Sequence, residues 1–502
     1  MVFSSVDFLF LFLPVFLLAQ NLLPWRNLTF VLFSLLFYFV GEGWYTGVIV
    51  VSTLANYGFG LGIGAAQDTG RRRLLLAAGV AFNLGLLVLF KYTGFLAQSL
   101  FSAGADSWLL RIHLPLGISF FTFHAISYLV DIHRRDAKAE RSLVNLSLYM
   151  LMFPQLIAGP ILRFHTVARQ LRRRVVDTRH LYYGVVLFCF GLAQKVLLAD
   201  TLAGVADPLF ARSETLSTQT AWLATLCYTL QIYFDFGGYS NMAVGLGWIC
   251  GFHFPRNFNY PYVARSITEF WRRWHMSLSR WFRDYLYLPL GGNRAGAAKT
   301  YRNLLIVFLL CGLWHGAAWT FVLWGAWHGL LLVVERLGLG HALARLPRLI
   351  QHGYALLAVM LGWVLFRAAD LTEAGRILAR LFGAGSVTDM AAWDLLTGEQ
   401  AFVLGAAALL ALPLLPALLG RYVAMPLMAG QCLRAGVAST TDTSVHTDEA
   451  TFENRAATRR AWAQPLPRHR YALGLLLAFA LFLLSMLKIM TGAYSPFIYF
   501  RF

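Results

Sequence analysis

Repeated apolar runs of bilayer-crossing length constrain this chain more than any other feature. Candidate spans run from Val6 to Leu23, Leu28 to Val40, Tyr45 to Ile63, Leu74 to Phe90, Leu114 to Val130, Tyr182 to Leu198 and Ala221 to Gly238, and from Leu304 to Trp314, Trp319 to Val334, Ala401 to Leu419 and Tyr471 to Ile489. Only 13% of the residues are charged and 58% are hydrophobic, whereas soluble domains carry about a quarter charged residues. A chain of 502 residues with this balance is an all-α polytopic membrane protein, and its first partner is the lipid bilayer.

The net charge of +18 is no sign of nucleic-acid binding. The arginines lie in short connections beside the spans: Arg71 to Arg73, Arg134 and Arg135, Arg172 to Arg174, Arg272 and Arg273. That is the pattern of loops held on the cytoplasmic side. The five cysteines are scattered and form no CxxC pair, so small apolar filler is the reading rather than a disulfide framework or a zinc site. The run from Phe8 to Ala19 has no basic segment before it and reads as a retained first span, not a signal peptide.

Several stretches depart from simple spans. His113 to His124 reads HLPLGISFFTFH, with Pro115 suited to a helix's first turn. Leu151 to Arg163, LMFPQLIAGPILR, carries two prolines and a glycine that forbid a straight helix. Such breaks are tolerated at membrane depth only against protein or a watery cavity, and Gln155 and Arg163 suit that wall. In Gln231 to Asn241, QIYFDFGGYSN, Asp235 is either a cap at a helix-end turn relaxed by Gly237 and Gly238, or a buried acid that orients an arginine or a substrate hydroxyl. Between Phe254 and Gly292 the chain becomes rich in Arg, Trp and Tyr, too charged for lipid, and reads as amphipathic or re-entrant helices at the cytoplasmic face. The segment from Val437 to His469 is polar and reads as an exposed loop. The division expected is a membrane core over 1–436, a polar loop over 437–470, and a last span with an aromatic tail over 471–502.

Polar chemistry concentrates between Thr268 and Gly329, where His275, His315 and His328 each follow a tryptophan: Trp274, Trp314 and Trp327. A histidine beside tryptophan in a helix is by default a packed ring. His315 stands out because it ends a long apolar run, LLIVFLLCGLWHG, where a titratable side chain needs a reason. Gly312 and Gly316 flank it and permit close approach of another segment or a ligand. No metal site is expected: no acid stands at i+3 or i+4 from His315, no HExxH occurs, and His328 is thirteen residues away. No GxSxG elbow points to serine hydrolysis. The best use of the ring is as a general base that deprotonates a hydroxyl for attack on a thioester.

These segments together resemble the membrane-bound O-acyltransferases. The resemblance rests on the opening Met-Val-Phe-Ser-Ser, on LPLGISFFTFHAISYLVDIHR, FPQLIAGPILRF and QIYFDFGGYSNMAVGLG, and on NFNYPYVARSITEFWRRWHMSLSRWFRDYLYLPLGGNR and GLWHGAAWTFVLWGAWHG. It implies a ring of about a dozen tilted transmembrane and re-entrant helices around a thin centre, with a funnel open to the cytoplasm. It implies His315 as the active-site histidine and His275 as its polar helper, which orients the acyl carbonyl or the His315 ring; His328 matches a histidine of a subfamily. The C-terminal SPFIYFRF is similar to an aromatic motif of the polysaccharide-modifying branch and implies Tyr499 as an acyl carrier; a tail that merely plugs a groove is the plainer reading. Arg272, Arg273, Trp274, Arg283, Asp284, Asn293, Trp314, His328 and Asp235 are the residues expected to contact the substrates. No bound cofactor is implied. The implied donor is acetyl-CoA, whose phosphates suit the arginines of Arg265 to Arg294. The implied partner is a periplasmic SGNH-type acetyltransferase at a bacterial inner membrane, and the polymer reached indirectly is an exopolysaccharide such as alginate. The alternative is a transporter that moves donor or precursor without catalysis, which would carry inverted repeats; none is visible in the sequence.

Overall fold

The computed structural model describes residues 2–101, 107–157, 159–294, 296–384, 392–414 and 468–492. Among these the chain is helical and contains no strand. Apolar composition drives this, because a backbone in hydrocarbon must satisfy its own hydrogen bonds. In order the helices are α1 (Leu13–Leu22), α2 (Arg26–Glu42), α3 (Thr46–Ala65), α4 (Thr69–Leu87), α5 (Thr93–Phe101), α6 (Ile118–Arg134) and α7 (Leu143–Leu151). The short α8 (Phe153–Leu156) and α9 (Phe164–Arg172) follow, then α10 (Thr178–Ala193), α11 (Asp200–Ala211), α12 (Thr218–Ile249), α13 (Ile267–Arg273) and α14 (Met276–Phe282). The rest are α15 (Ala297–His315), α16 (Trp319–Val334), α17 (Gly340–Ala344), α18 (Arg348–Arg367), α19 (Leu371–Leu381), α20 (Gly398–Leu410) and α21 (Arg468–Met490). Among the described residues six helical stretches are long and apolar enough to cross a membrane, among them Arg348–Arg367, which the reading of the sequence did not single out.

Four local expectations change. The helix after His113 starts at Ile118 rather than at Pro115, because Gly117 turns the chain first at φ 72°. α12 runs unbroken through Gly237 and Gly238, so Asp235 lies inside a helix of 32 residues and not at its end. The glycines serve close packing instead. A Cβ on Gly238 would come within 2.6 Å of the Gly191 carbonyl oxygen, and one on Gly245 within 2.6 Å of that of Gly184. α10 and α12 therefore meet backbone to backbone, as small residues allow. Thirdly, of the two readings of the stretch from Phe254 to Gly292, the re-entrant one fits and the purely surface amphipathic one does not: Trp271, Trp274, His275 and Trp281 are buried. Fourthly, α20 ends at Leu410; residues 415–467, with most of the polar segment, lie outside the described residues.

The arginine clusters share one face. Arg72 donates to the carbonyls of Ile132 and His133, at 3.1 and 3.0 Å. Arg134 donates to the Asp284 carbonyl at 3.0 Å, and Arg163 pairs with the Asp284 carboxylate. Arg172 pairs with Glu140 at 2.9 Å, and Arg174 donates to Asn27 Oδ1 at 2.6 Å. α9 lies along this face with Phe164, Val167 and Leu171 turned inward. A cavity of about 810 Å³ opens nearby between Pro24–Leu28 and Leu171–Val175, and none of the three histidines lines it.

α15 starts at the arginine face, where Asn303 donates to the carbonyls of Leu290 and Gly292, both at 3.1 Å. Its 19 residues carry the chain about 28 Å inward at 1.5 Å per residue. α16 returns against it. Gly312 and Gly325 face one another there: a Cβ on Gly312 would collide with the Phe321 carbonyl and one on Gly325 with the Phe308 carbonyl. Gly312→Val is expected to destabilise the fold by about 3 kcal/mol, at the upper end for overpacking, because the obstacle is backbone. Thermal unfolding in detergent checks this, with Gly405→Ala as control, since a Cβ on Gly405 meets nothing within 4 Å.

Candidate active site

His315 is the last residue of α15, and Gly316 after it is extended at φ −158°. The ring is buried, 4% exposed. It packs edge-on against Trp324 at 5.0 Å and Phe366 at 5.3 Å between centroids. Trp314 beside it is fixed in turn by Phe123, whose ring lies 5.2 Å away and nearly parallel, and Phe123 stacks on Trp281 at 3.7 Å. This aromatic packing leaves the imidazole few orientations.

His275 comes to the same place from a different direction. The break between α13 and α14 puts it at φ 40°, ψ 53°, a left-handed conformation that a non-glycine residue rarely holds. Two backbone bonds clamp the break: Met276 N–H donates to the Asn257 carbonyl and Asn259 N–H to that of Arg273, both at 2.9 Å. The His275 ring centroid lies 6.4 Å from that of His315. Its Nδ1 faces Asn257 Oδ1 at 3.1 Å. The same oxygen accepts from the backbone N–H of Ser277 at 3.2 Å and from its hydroxyl at 2.8 Å. A backbone N–H can only donate, so the atom is an oxygen and Nδ1 of His275 must carry its proton. The neutral ring then presents a lone pair at Nε2, and among the described residues that buried nitrogen has no hydrogen-bond partner.

His328, one turn below Trp324, is a packed ring. Trp324 contacts both His315 and His328, at 5.0 and 5.1 Å. Trp271 donates a long hydrogen bond to His328 Nδ1 at 3.4 Å, and Gly362 lies against Nε2. The expected substrate contacts divide into groups. Trp274 and Trp314 are buried with the histidines; Trp274 packs on Trp363 at 4.8 Å. Arg283, Asp284 and Asn293 belong to the arginine face, where Arg283 pairs with Asp284 at 2.7 Å. On α13, Arg273 is engaged by Glu269 at 2.7 Å and by the Asn259 carbonyl at 3.1 Å, while Arg272 is exposed. Asp235 faces α10 and α11 and orients a lysine rather than an arginine: Lys195 lies 2.8 Å from Asp235 and 2.5 Å from Asp200. Its neighbour Phe236 touches His275 at 4.7 Å. Tyr499 lies outside the described residues. Among the described residues no group of three His, Cys, Asp or Glu side chains is placed to hold a metal ion.

The sequence reading missed four residues that build this site. Asn257 sets the His275 tautomer. Glu335 receives the N-terminus of α13, accepting from the N–H groups of Ile267 and Thr268 at 2.6 and 2.9 Å. Lys91 and Tyr92 reach the carbonyl end of α15. Asn257 stood in a quoted motif, and a lone lysine at the end of an apolar run was a signal for Lys91; nothing local marked the other two.

Two buried imidazoles facing one another, one with a fixed free lone pair, suit proton transfer from a hydroxyl. The family model described as MBOAT, membrane-bound O-acyltransferase family, matches residues 72–354. Over its full length the chain is 42% identical to a protein of Azotobacter vinelandii named "Probable alginate O-acetylase", also covered in full. It is 37% identical to the "Peptidoglycan O-acetyltransferase" of Helicobacter pylori over 77% of this chain and 81% of that one. It is 30% identical to the "Teichoic acid D-alanyltransferase" of Bacillus subtilis over 40% of this chain and 54% of the relative. A multi-pass helical chain with paired histidines at its centre and these relatives is an O-acyltransferase and belongs to the membrane-bound O-acyltransferase family.

Proposed function

We propose that the protein takes an acetyl group from cytoplasmic acetyl-CoA and delivers it across a bacterial inner membrane for O-acetylation of an exopolysaccharide such as alginate. The observation that carries this reading is the pair His275 and His315, with ring centroids 6.4 Å apart in the buried interior. The relatives support the class of reaction, since their names give acetyl or alanyl transfer involving alginate, peptidoglycan or teichoic acid. The arginine face is the cytoplasmic one by the positive-inside rule. Arg272 and Arg294 are exposed, and no carboxylate among the described residues pairs with either. They are suited to the phosphates of the donor.

In the first step His315 takes the proton of an attacking hydroxyl as its oxygen bonds to the thioester carbonyl carbon. The C–S bond breaks, and the imidazolium returns the proton to the leaving thiolate, giving an ester and free CoA. His275, whose Nε2 carries a lone pair and can only accept, orients the His315 ring from the other side of the site. The attacking hydroxyl is that of Tyr499. A phenol leaves more readily than an alkyl alcohol, so its ester passes the acetyl on easily. α21 starts beside Tyr182 at the arginine side and runs 23 residues, about 34 Å. Its last described turn therefore stands toward the opposite face. The second step moves the acetyl from Tyr499 to a hydroxyl of a periplasmic SGNH-type partner, which sets it on the polymer.

The test is the full-length protein in lipid nanodiscs with acetyl-CoA carrying a labelled acetyl group. The wild type is expected to release free CoA thiol and to hold label on a peptide containing Tyr499. Tyr499→Phe is expected to carry no label and to support on the order of 10² times less polymer acetylation in the host. Normal acetylation by Tyr499→Phe would leave the tail a structural plug. Passage of intact acetyl-CoA across sealed vesicles without thiol release would favour a transporter and overturn the reading.

A further inference from the structure

The helix that carries His315 has an unusual ending. An α-helix leaves its last four carbonyls without intrahelical partners, and in a membrane interior each must find a donor. In α15 all four do. The Gly316 N–H donates to the Gly312 carbonyl at 3.2 Å. The Tyr92 hydroxyl donates to the Leu313 carbonyl at 2.7 Å. The Lys91 ammonium donates to the carbonyls of Trp314 at 2.5 Å and His315 at 3.1 Å, and to the Ser119 hydroxyl at 3.4 Å. Three of the four acceptors are thus held by two consecutive side chains more than 220 residues away along the chain. Those side chains sit in a wide-turn π segment, Val88–Tyr92, between α4 and α5. Such segments are frequent at functional sites, because the extra residue re-aims neighbouring side chains.

No carboxylate among the described residues lies within ion-pair distance of Lys91; its hydrogen-bond partners are the two carbonyls and a hydroxyl. A cation is costly at this depth. The negative end of α15 offsets part of that cost, and a neutral residue would fill the space more cheaply. The geometry points to Lys91 as a positioning residue for acyl transfer: with Tyr92 it clamps the carbonyl end of α15 and so fixes where the His315 imidazole stands relative to His275. This rests on the reading of His315 as the base.

The experiment uses the full-length protein in nanodiscs with acetyl-CoA. Lys91→Met keeps most of the length of the side chain and removes the donors. It is expected to lower kcat on the order of 10²-fold, the scale of a misplaced catalytic group. KM for acetyl-CoA is expected to stay within about twofold, because the donor's phosphates bind elsewhere. Lys91→Arg restores charged donors and is expected to recover about a tenth or more of the wild-type kcat. Tyr92→Phe loses one cap only and is expected to lower kcat about 3- to 10-fold at unchanged KM, which tests the clamp even if Lys91→Met fails to fold. Wild-type kcat in Lys91→Met or in Tyr92→Phe would overturn the inference, as would a folded Lys91→Arg no better than Lys91→Met. If His315→Ala is inactive while the Lys91 and Tyr92 variants are not, only this inference falls. If His315→Ala stays active, the reading of the base falls with it.

Discussion

Alanine in place of His315 is expected to lower polymer acetylation by about 10³-fold or more, within the range for loss of a general base. The amount of folded protein in the membrane is expected to stay as it is. The second half matters as much as the first. The His315 ring touches Trp324 and Phe366, so its removal leaves a small void and costs some stability. His315→Gln keeps much of the volume and separates the two effects. An amide fills the site but has no basic nitrogen, so it should be as inactive as alanine yet better folded. Acetyl content of the secreted polymer by NMR, with membrane protein quantified by blot and by size-exclusion profile, decides the matter. Acetylation above a tenth of wild type in either variant would show that another group takes the proton.

His275→Ala is expected to cost on the order of 10²-fold in kcat, with KM for the donor little changed, because a group that aligns the reacting atoms acts after the donor is bound. The structure also specifies an indirect route to the same effect. Asn257 Oδ1 fixes the proton on Nδ1 of His275 while accepting from Ser277. Asn257→Leu removes that anchor and frees the ring to take the other tautomer. The variant is expected to lose about tenfold or more in kcat, the scale of an outer partner that sets a histidine's tautomer. Equal loss in His275→Ala and in the double variant with Asn257→Leu would place both residues on one line of action. Full activity of His275→Ala would reduce His275 to packing against Phe236 and Trp314.

The amino-acid sequence by itself determined the class of fold and singled out His315 as the candidate base. Hydropathy is a local property, and a run such as LLIVFLLCGLWHG commits its backbone to a helix wherever it packs. The prolines of LMFPQLIAGPILR forced a break, and α8 followed by irregular chain is that break. Local patterns went wrong where packing outweighed propensity. Gly237 and Gly238 read as a turn, yet the close approach of α10 holds them in a continuous helix. The sequence offered Arg273 to a phosphate without showing that Glu269, one turn earlier, pairs with its guanidinium.

Only the tertiary structure decided which polar groups meet. His275 and His315 are forty residues apart, and they face one another because a left-handed residue ends α13 and starts α14. The Lys195 partner of Asp235 lies on a neighbouring helix, and Lys91 reaches α15 across 223 residues of chain. The physical reason is the solvent. In hydrocarbon each buried donor and acceptor must find a partner at any separation in sequence, and which partner it finds depends on how whole helices are set side by side.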